Sequence, residues 1–341
     1  MNARTETVME AVVNSVADSV VDSVVDSVVE EKNAYEVVVV GGGAAGLSAG
    51  LILGRSRRRT LVVDAGAPRN APSGHMQGYL SRDGMSPAEF LAAGRRELLA
   101  YGVEVRPGEV TAASRDGDGF ALTLADGTSL TARRLVVATG LVDELPAIRG
   151  LAERWGRDVL HCPFCHGWEV RDQALGVVAH PAMPAHQALM VSHLSSDVTL
   201  FLNGAELTGE DDRLLAAAGV RTVAGTVEEV VVEDDRLTGV RLADGRTVGC
   251  DVVFAAGTRL LPRDGVLRRL GAELYETPFG AFVKTDEAGR TSVPGVWAAG
   301  NVTGPAEQVV NAASAGYRAG ALLHGELLMA DLAARAEERA E

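Results

Sequence analysis

The feature that most constrains this chain is a strand-length run, Glu36-Val37-Val38-Val39-Val40, that ends on Gly41-Gly42-Gly43-Ala44-Ala45-Gly46. A continuous apolar run without alternation reads as a strand buried on both faces, as in a parallel sheet. The glycines satisfy G-x-G-x-x-G in the one context that gives the pattern a mechanism, between a strand and a helix. Gly41 permits the tight turn, Gly43 lets the backbone approach a pyrophosphate, and Gly46 allows close packing of helix on strand, while the helix N-terminus receives the anion. The pattern predicts a helix from Ala45 to Gly54 and a second strand from Thr60 to Val63. Asp64 then stands where an acid that bonds a ribose hydroxyl is expected, and its charge disfavours a 2′-phosphate. The neighbouring Arg55, Arg57, Arg58 and Arg59 fall at the helix C-terminus, where cations offset the dipole.

The same grammar recurs downstream. Leu135-Val136-Val137-Ala138-Thr139-Gly140 and Asp251-Val252-Val253-Phe254-Ala255-Ala256-Gly257 read as two equivalent strands, each ending in a small residue and glycine. Between them, a strand at 174–179, a helix near 186–194 and a strand at 197–202 repeat the strand-helix-strand order. The fold class is therefore α/β, with two doubly wound, Rossmann-like domains and the second inserted into the first. The block 294–328 returns to the first domain. Residues 1–34, where Asp-Ser-Val-Val repeats through Asp18, Asp22 and Asp26, are expected to form a frayed extension.

With 341 residues the chain is too long for one ordinary core. A net charge of −14 repels polyanions, so neither nucleic acid nor an acidic membrane surface is expected as a partner. No apolar run approaches the roughly 20 residues that span a bilayer, and the start lacks a signal-peptide pattern. Three cysteines are not a secreted disulfide scaffold, so a reducing, cytoplasmic setting is expected.

Two of those cysteines lie in His161-Cys162-Pro163-Phe164-Cys165-His166-Gly167. Thiols at this spacing can close a small disulfide, and neighbouring imidazoles or a helix N-terminus can supply the reactive thiolate. His166 can move a proton near neutral pH. Three other readings exist: a covalent haem c site, which belongs to exported chains; a zinc site, for which no second cysteine pair follows; and plain buried thiols. No metal is expected at the pair. Cys250, beside an apolar strand, reads as packing.

The first glycine motif, the Ala138-Thr139-Gly140 strand end, the cysteine pair in a second domain and Gly295-Val296-Trp297-Ala298-Ala299-Gly300-Asn301 together resemble the thioredoxin reductase family of low-molecular-weight flavoproteins, over about 35–328. The resemblance implies an FAD-binding domain built from 35–145 and 271–330, an inserted pyridine-nucleotide-like domain over 146–270 that bears the cysteine pair, and a homodimer. It also implies that FAD is held by Gly41, Gly43, Ala45, Gly46, Asp64, Ala138, Thr139, Gly140, Gly300 and Asn301, with Gln308 and Val309 beside the isoalloxazine ring. Cys165 would face the flavin and Cys162 would exchange with substrate.

The departures from that family redirect the function. A reductase of this kind carries a second G-x-G-x-x-G/A, but Val177-Val178-Ala179 runs here into His180-Pro181-Ala182-Met183-Pro184-Ala185. Side chains crowd that loop and its prolines lack N–H donors, so NAD(P)H is not expected to bind. No arginine follows the 197–202 strand to hold a 2′-phosphate. His166 replaces an aspartate, and Asn301 replaces another. Cys-Pro-Phe-Cys-His-Gly-Trp-Glu, with Arg69-Asn70-Ala71-Pro72, His75-Met76-Gln77-Gly78 and Ser81-Arg82-Asp83-Gly84, is similar to the FAD-dependent dithiol oxidases that close disulfides in natural products of the gliotoxin, holomycin and romidepsin type. That similarity implies oxidation of a small-molecule dithiol through Cys162, Cys165 and His166, with O2 as acceptor, hydrogen peroxide as product and His75 in a loop near the flavin. The rival readings are an NADPH-dependent thioredoxin reductase and a non-catalytic flavin redox sensor.

Overall fold

The computed structural model describes residues 33–340, and the expectation for the N-terminal extension lies outside them except that Ala34 already belongs to the first strand. Strand β1 (Ala34–Val40) leads through the glycine turn into helix α1 (Ala44–Arg55), and β2 (Thr60–Asp64), α2 (Pro87–Leu99) and β3 (Glu104–Pro107) follow. β1, β2 and β3 pair in parallel, with Val37 opposite Thr60 and Leu61 opposite Glu104. Val37, Val38 and Val39 are wholly buried, as a doubly covered parallel strand requires.

The chain next makes an antiparallel meander, β4 (Val110–Asp116), β5 (Gly119–Leu124) and β6 (Ser129–Val137), and β6 re-enters the sheet beside β1. A two-stranded ribbon forms where the chain leaves and re-enters this domain: β7 (Leu141–Glu144) pairs antiparallel with a later strand, Arg259–Pro262. Between them lie β8 (Val159–Leu160), α3 (Pro163–His166), β9 (Leu175–Val178), α4 (His186–Val191), β10 (Val198–Phe201), α5 (Gly209–Ala217) and β11 (Arg221–Val223). With β15 (Val252–Ala255) these strands form a five-stranded parallel sheet in the order β11-β10-β9-β15-β8. The antiparallel strands β12 (Val227–Glu233), β13 (Arg236–Leu242) and β14 (Thr247–Gly249) cover one face of it.

After the ribbon strand β16 (Arg259–Pro262) come α6 (Gly265–Arg269), the hairpin β17 (Leu274–Thr277) and β18 (Gly280–Val283), and β19 (Val296–Ala298). β19 pairs in parallel with the second half of β6, Val296 opposite Leu135, whereas the first half of β6 bonds β5. The final helix, α7 (Val309–Glu338), lies on α1 through glycines. A Cβ at Gly316 would fall on the Ala45 carbonyl oxygen, and one at Gly320 would come 2.6 Å from Ile52 Cγ2. Each main sheet has buried apolar clusters on both faces, the doubly wound arrangement. Arg58 ties β1 to the end of α7 through 2.6 Å ion pairs with Glu36 and Asp331, so it is a structural tether. Cys250 is buried against Gly176, and burial pushes its thiol up to about 12. Among the described residues no helix is long and apolar enough to cross a membrane.

Candidate active site: a dinucleotide cradle and a dithiol in one cleft

The turn after β1 explains its own glycines. Gly41 has φ +107, and a Cβ there would strike the Ala138 carbonyl; one at Gly46 would strike the Gly41 carbonyl. Gly43, the residue before the first turn of α1, has open space where a side chain would stand. Bare backbone at the start of a 12-residue helix is therefore presented to the cleft. Asp64 closes one side. Its Oδ1 accepts from the N–H groups of Gly42 (3.3 Å) and Gly66 (3.1 Å), and its Oδ2 pairs with Arg95 at 2.7 Å. Arg95, on α2, is a partner that sequence reasoning did not anticipate.

The remaining strand ends converge on the same cavity of about 1270 Å³. Ala45, Ala138, Thr139, Gly140, Gly300 and Asn301 line it, whereas Gly46 lies behind it against the turn. Thr139 Oγ1 donates to the Arg263 carbonyl (2.7 Å). Asn301 Nδ2 donates to the carbonyls of Gly304 (3.1 Å) and Pro305 (3.4 Å), fixing the loop that enters α7.

Cys162 and Cys165 open onto this cavity, as do Gln308 and Val309. Both cysteines are free thiols held by one side chain. Gln308 precedes the first turn of α7, yet its amide caps no backbone group; Oε1 accepts from the Cys165 S–H (3.2 Å) and Nε2 donates to Cys162 Sγ (3.5 Å). The pair is polarised by its own contact. Cys162 is drawn down from 9.0 to about 6, chiefly because the Cys165 S–H bonds to its sulfur; burial opposes this, and the N–H groups of Cys165 and Phe164 and the Gln308 amide assist. Cys165 is pushed up, first by donating to Cys162 and then by burial. In the reduced pair the negative charge sits on Cys162 and the proton on Cys165.

His166 ends the single turn of α3. Its Nε2 lies 3.0 Å from Ser73 Oγ, and that hydroxyl donates to the His75 carbonyl at 2.6 Å. With its proton committed, Ser73 can only accept from the ring, so Nε2 carries the hydrogen and Nδ1 is left as a lone pair. That Nδ1 is buried and unpartnered. Burial also lowers the His166 pKa against the opposing charge of Glu169, so the ring is a neutral base at pH 7. His75 contributes its carbonyl, while its side chain stands at the exposed rim of the cavity. The loop carrying both residues reaches the inserted domain through Gln77, whose Nε2 donates to Glu169 (3.0 Å), and is anchored in its own domain by Arg69, which forms a bidentate pair with Asp143 on β7 at 2.8 and 2.7 Å.

The turn after β9 is built differently from the turn after β1. His180 Nδ1 accepts the Ala182 N–H (3.1 Å), the Met183 N–H goes to the His180 carbonyl (3.2 Å), and Pro181 and Pro184 have none. The Ala182 and Met183 donors are thus spent within the loop. His180 is buried, its ring 5.2 Å from Phe279, and α4 begins only at His186. Among the described residues no group of three or more His, Cys, Asp or Glu is placed to hold a metal.

The bare backbone at Gly43 and the long cleft running from it to the sulfurs fit FAD. Glu307 Oε2, a buried acceptor without a partner, marks a further polar position on the cleft wall beside Gln308. The chain resembles known proteins along nearly its whole length. It is 35% identical over 319 residues to thioredoxin reductase tcpT of Claviceps purpurea, covering 88% of this chain and 96% of that protein. Against thioredoxin reductase sirT of Leptosphaeria maculans it is 32% identical over 322 residues, covering 89% and 97%. The crystal structure of HlmI superposes with a TM-score of 0.86 at 49% identity, covering 90% of this chain and 96% of that one. Residues 35–316 match the pyridine nucleotide-disulphide oxidoreductase model, and the chain belongs to that family as a thioredoxin reductase-like, FAD-binding oxidoreductase.

Proposed function

We propose that the protein is an FAD-dependent oxidase of small-molecule dithiols, independent of NAD(P)H. The observation that carries this reading is the contrast between the two turns in one cleft. The turn after β1 offers open backbone at Gly43, whereas the turn after β9 bonds its Ala182 and Met183 N–H groups internally, has none at Pro181 and Pro184, and carries the side chains of His180 and Met183 on the cavity wall. A second dinucleotide has no cradle there, so electrons enter through sulfur.

In the oxidised enzyme Cys162 and Cys165 form a disulfide. A substrate thiolate attacks Cys162, giving a mixed disulfide and releasing Cys165; the second substrate thiol then attacks its own sulfur in that bond, leaving as a cyclic disulfide and freeing Cys162. Two protons and two electrons leave the substrate. We assign the thiol proton to His166, a neutral imidazole adjacent in sequence to Cys165, and Ser73 keeps its Nε2–H bonded in both charge states of the ring. Gln308 holds Cys162 as thiolate and Cys165 in register with the cleft. FAD would be held by the β1 turn, Asp64, Thr139, Gly140 and the Gly300-Asn301 loop, and would supply a two-electron acceptor for the reduced cysteine pair and a reductant of O2 to hydrogen peroxide.

Aerobic turnover with dithiothreitol tests the reading. One peroxide per disulfide is expected, and Cys165→Ser is expected to abolish flavin bleaching. Bleaching that survives in that variant contradicts the assignment.

A further inference from the structure

Asp64 divides its two oxygens between unlike tasks. Oδ1 accepts from the N–H groups of Gly42 (3.3 Å) and Gly66 (3.1 Å), which fills both of its acceptor positions. Oδ2 accepts one bond, from Arg95 Nη2 at 2.7 Å, and keeps one acceptor position. Asp64 lines the cavity and its side chain is 15% exposed, so that single remaining position is what the acid can offer to a ribose hydroxyl.

The backbone anchors Oδ1 alone. The terminal torsion of an aspartate is broad, so two bonds to one oxygen leave the other free to swing. Arg95 is the side chain that stops it. It stands on α2, whose Pro87, Phe90 and Leu91 reach the cavity wall whereas Arg95 does not. α2 lies close on α1, where a Cβ at Gly94 would come 3.0 Å from Leu47 Cδ1, and α1 begins at the glycine turn. The guanidinium is thus carried by a helix packed against the same unit that forms the cradle.

We infer that Arg95 is a positioning residue of the dinucleotide site: acting through Asp64, it fixes the free acceptor of Oδ2 toward the ribose end of FAD and so slows release of the cofactor. The inference goes beyond the oxidase reading and does not depend on how electrons enter.

The test uses the purified FAD-loaded protein, with released flavin separated by ultrafiltration at timed intervals after dilution. Arg95→Met is expected to speed release about ten-fold, the equivalent of one hydrogen bond to a charged group. Arg95→Lys keeps a donor for Oδ2 and is expected to stay within about three-fold of the unaltered protein. In an Asp64→Ala background, where release is already fast, Arg95→Met is expected to add nothing. Arg95 is 37% exposed on its helix, so its replacement leaves the core intact. Release from Arg95→Met at the unaltered rate overturns the inference, as does a full effect of Arg95→Met without Asp64. A Lys variant as fast as the Met one also overturns it, and that comparison decides the matter even if Asp64→Ala retains no FAD.

Discussion

At the scale of single residues the account depends on Gln308, because one amide cannot serve two equal thiols. It accepts from Cys165 and donates to Cys162, and so adds to the stabilisation that the Cys165 S–H gives the Cys162 thiolate. Since the Cys162 pKa is lowered to about 6, its thiolate is expected to form at a lower pH than that of an ordinary thiol. Alkylation of Cys162 in the reduced enzyme by iodoacetamide is expected to follow that midpoint. Gln308→Leu removes one donor and is expected to move the midpoint upward by about one unit; an unmoved midpoint contradicts the role. Ser73 acts through His166 and is a positioning residue. Ser73→Ala is expected to lower kcat for dithiol oxidation by roughly three- to ten-fold and to alter its pH profile, with Ser73→Thr restoring both. Loss without rescue by Thr would indicate a merely structural loop residue.

At the scale of elements, what could be read in the sequence was whatever has a short-range cause. The strand, glycine turn and helix from Ala34 to Arg55 were legible because Val37–Val40 and the glycines each have a local physical reason. Helix α2 was not read, although Ser86-Pro87-Ala88-Glu89 holds a capping serine, a proline at the first helical position and the N–H of Glu89 bonding back to Ser86. The 186–194 helix stops at Val191, and the Leu194 N–H closes a tighter turn on the Val191 carbonyl. Ser73, Gln187 and Arg95 left no signal, because their partners His166, His161 and Asp64 come from distant segments. The contact of α1 with α7 is likewise long-range but steeply size-limited. Gly316→Ala puts a methyl on the Ala45 carbonyl and is expected to destabilise the first domain by about 1–3 kcal/mol, read as a lower melting temperature and weaker FAD retention. Unchanged melting would mean the two helices separate freely.

At the scale of the whole molecule, two doubly wound domains meet across one cleft, and the contacts that hold the cysteine segment come from the loop at 69–77 and from the start of α7. Gln77 with Glu169, Ser73 with His166 and Gln308 with both cysteines hold the dithiol at the cleft that takes the flavin. The inserted sheet keeps the strand order of a nucleotide-binding domain while its first turn has turned inward. Our proposal that electrons enter from sulfur and not from nicotinamide rests on that pairing of an open turn with a closed one. The most direct measurement is anaerobic flavin absorbance of the purified protein after NADPH and, separately, dithiothreitol. The account predicts that dithiothreitol bleaches the flavin, that admitted O2 restores its colour with one equivalent of peroxide, and that NADPH leaves the spectrum unchanged; rapid bleaching by NADPH would contradict it.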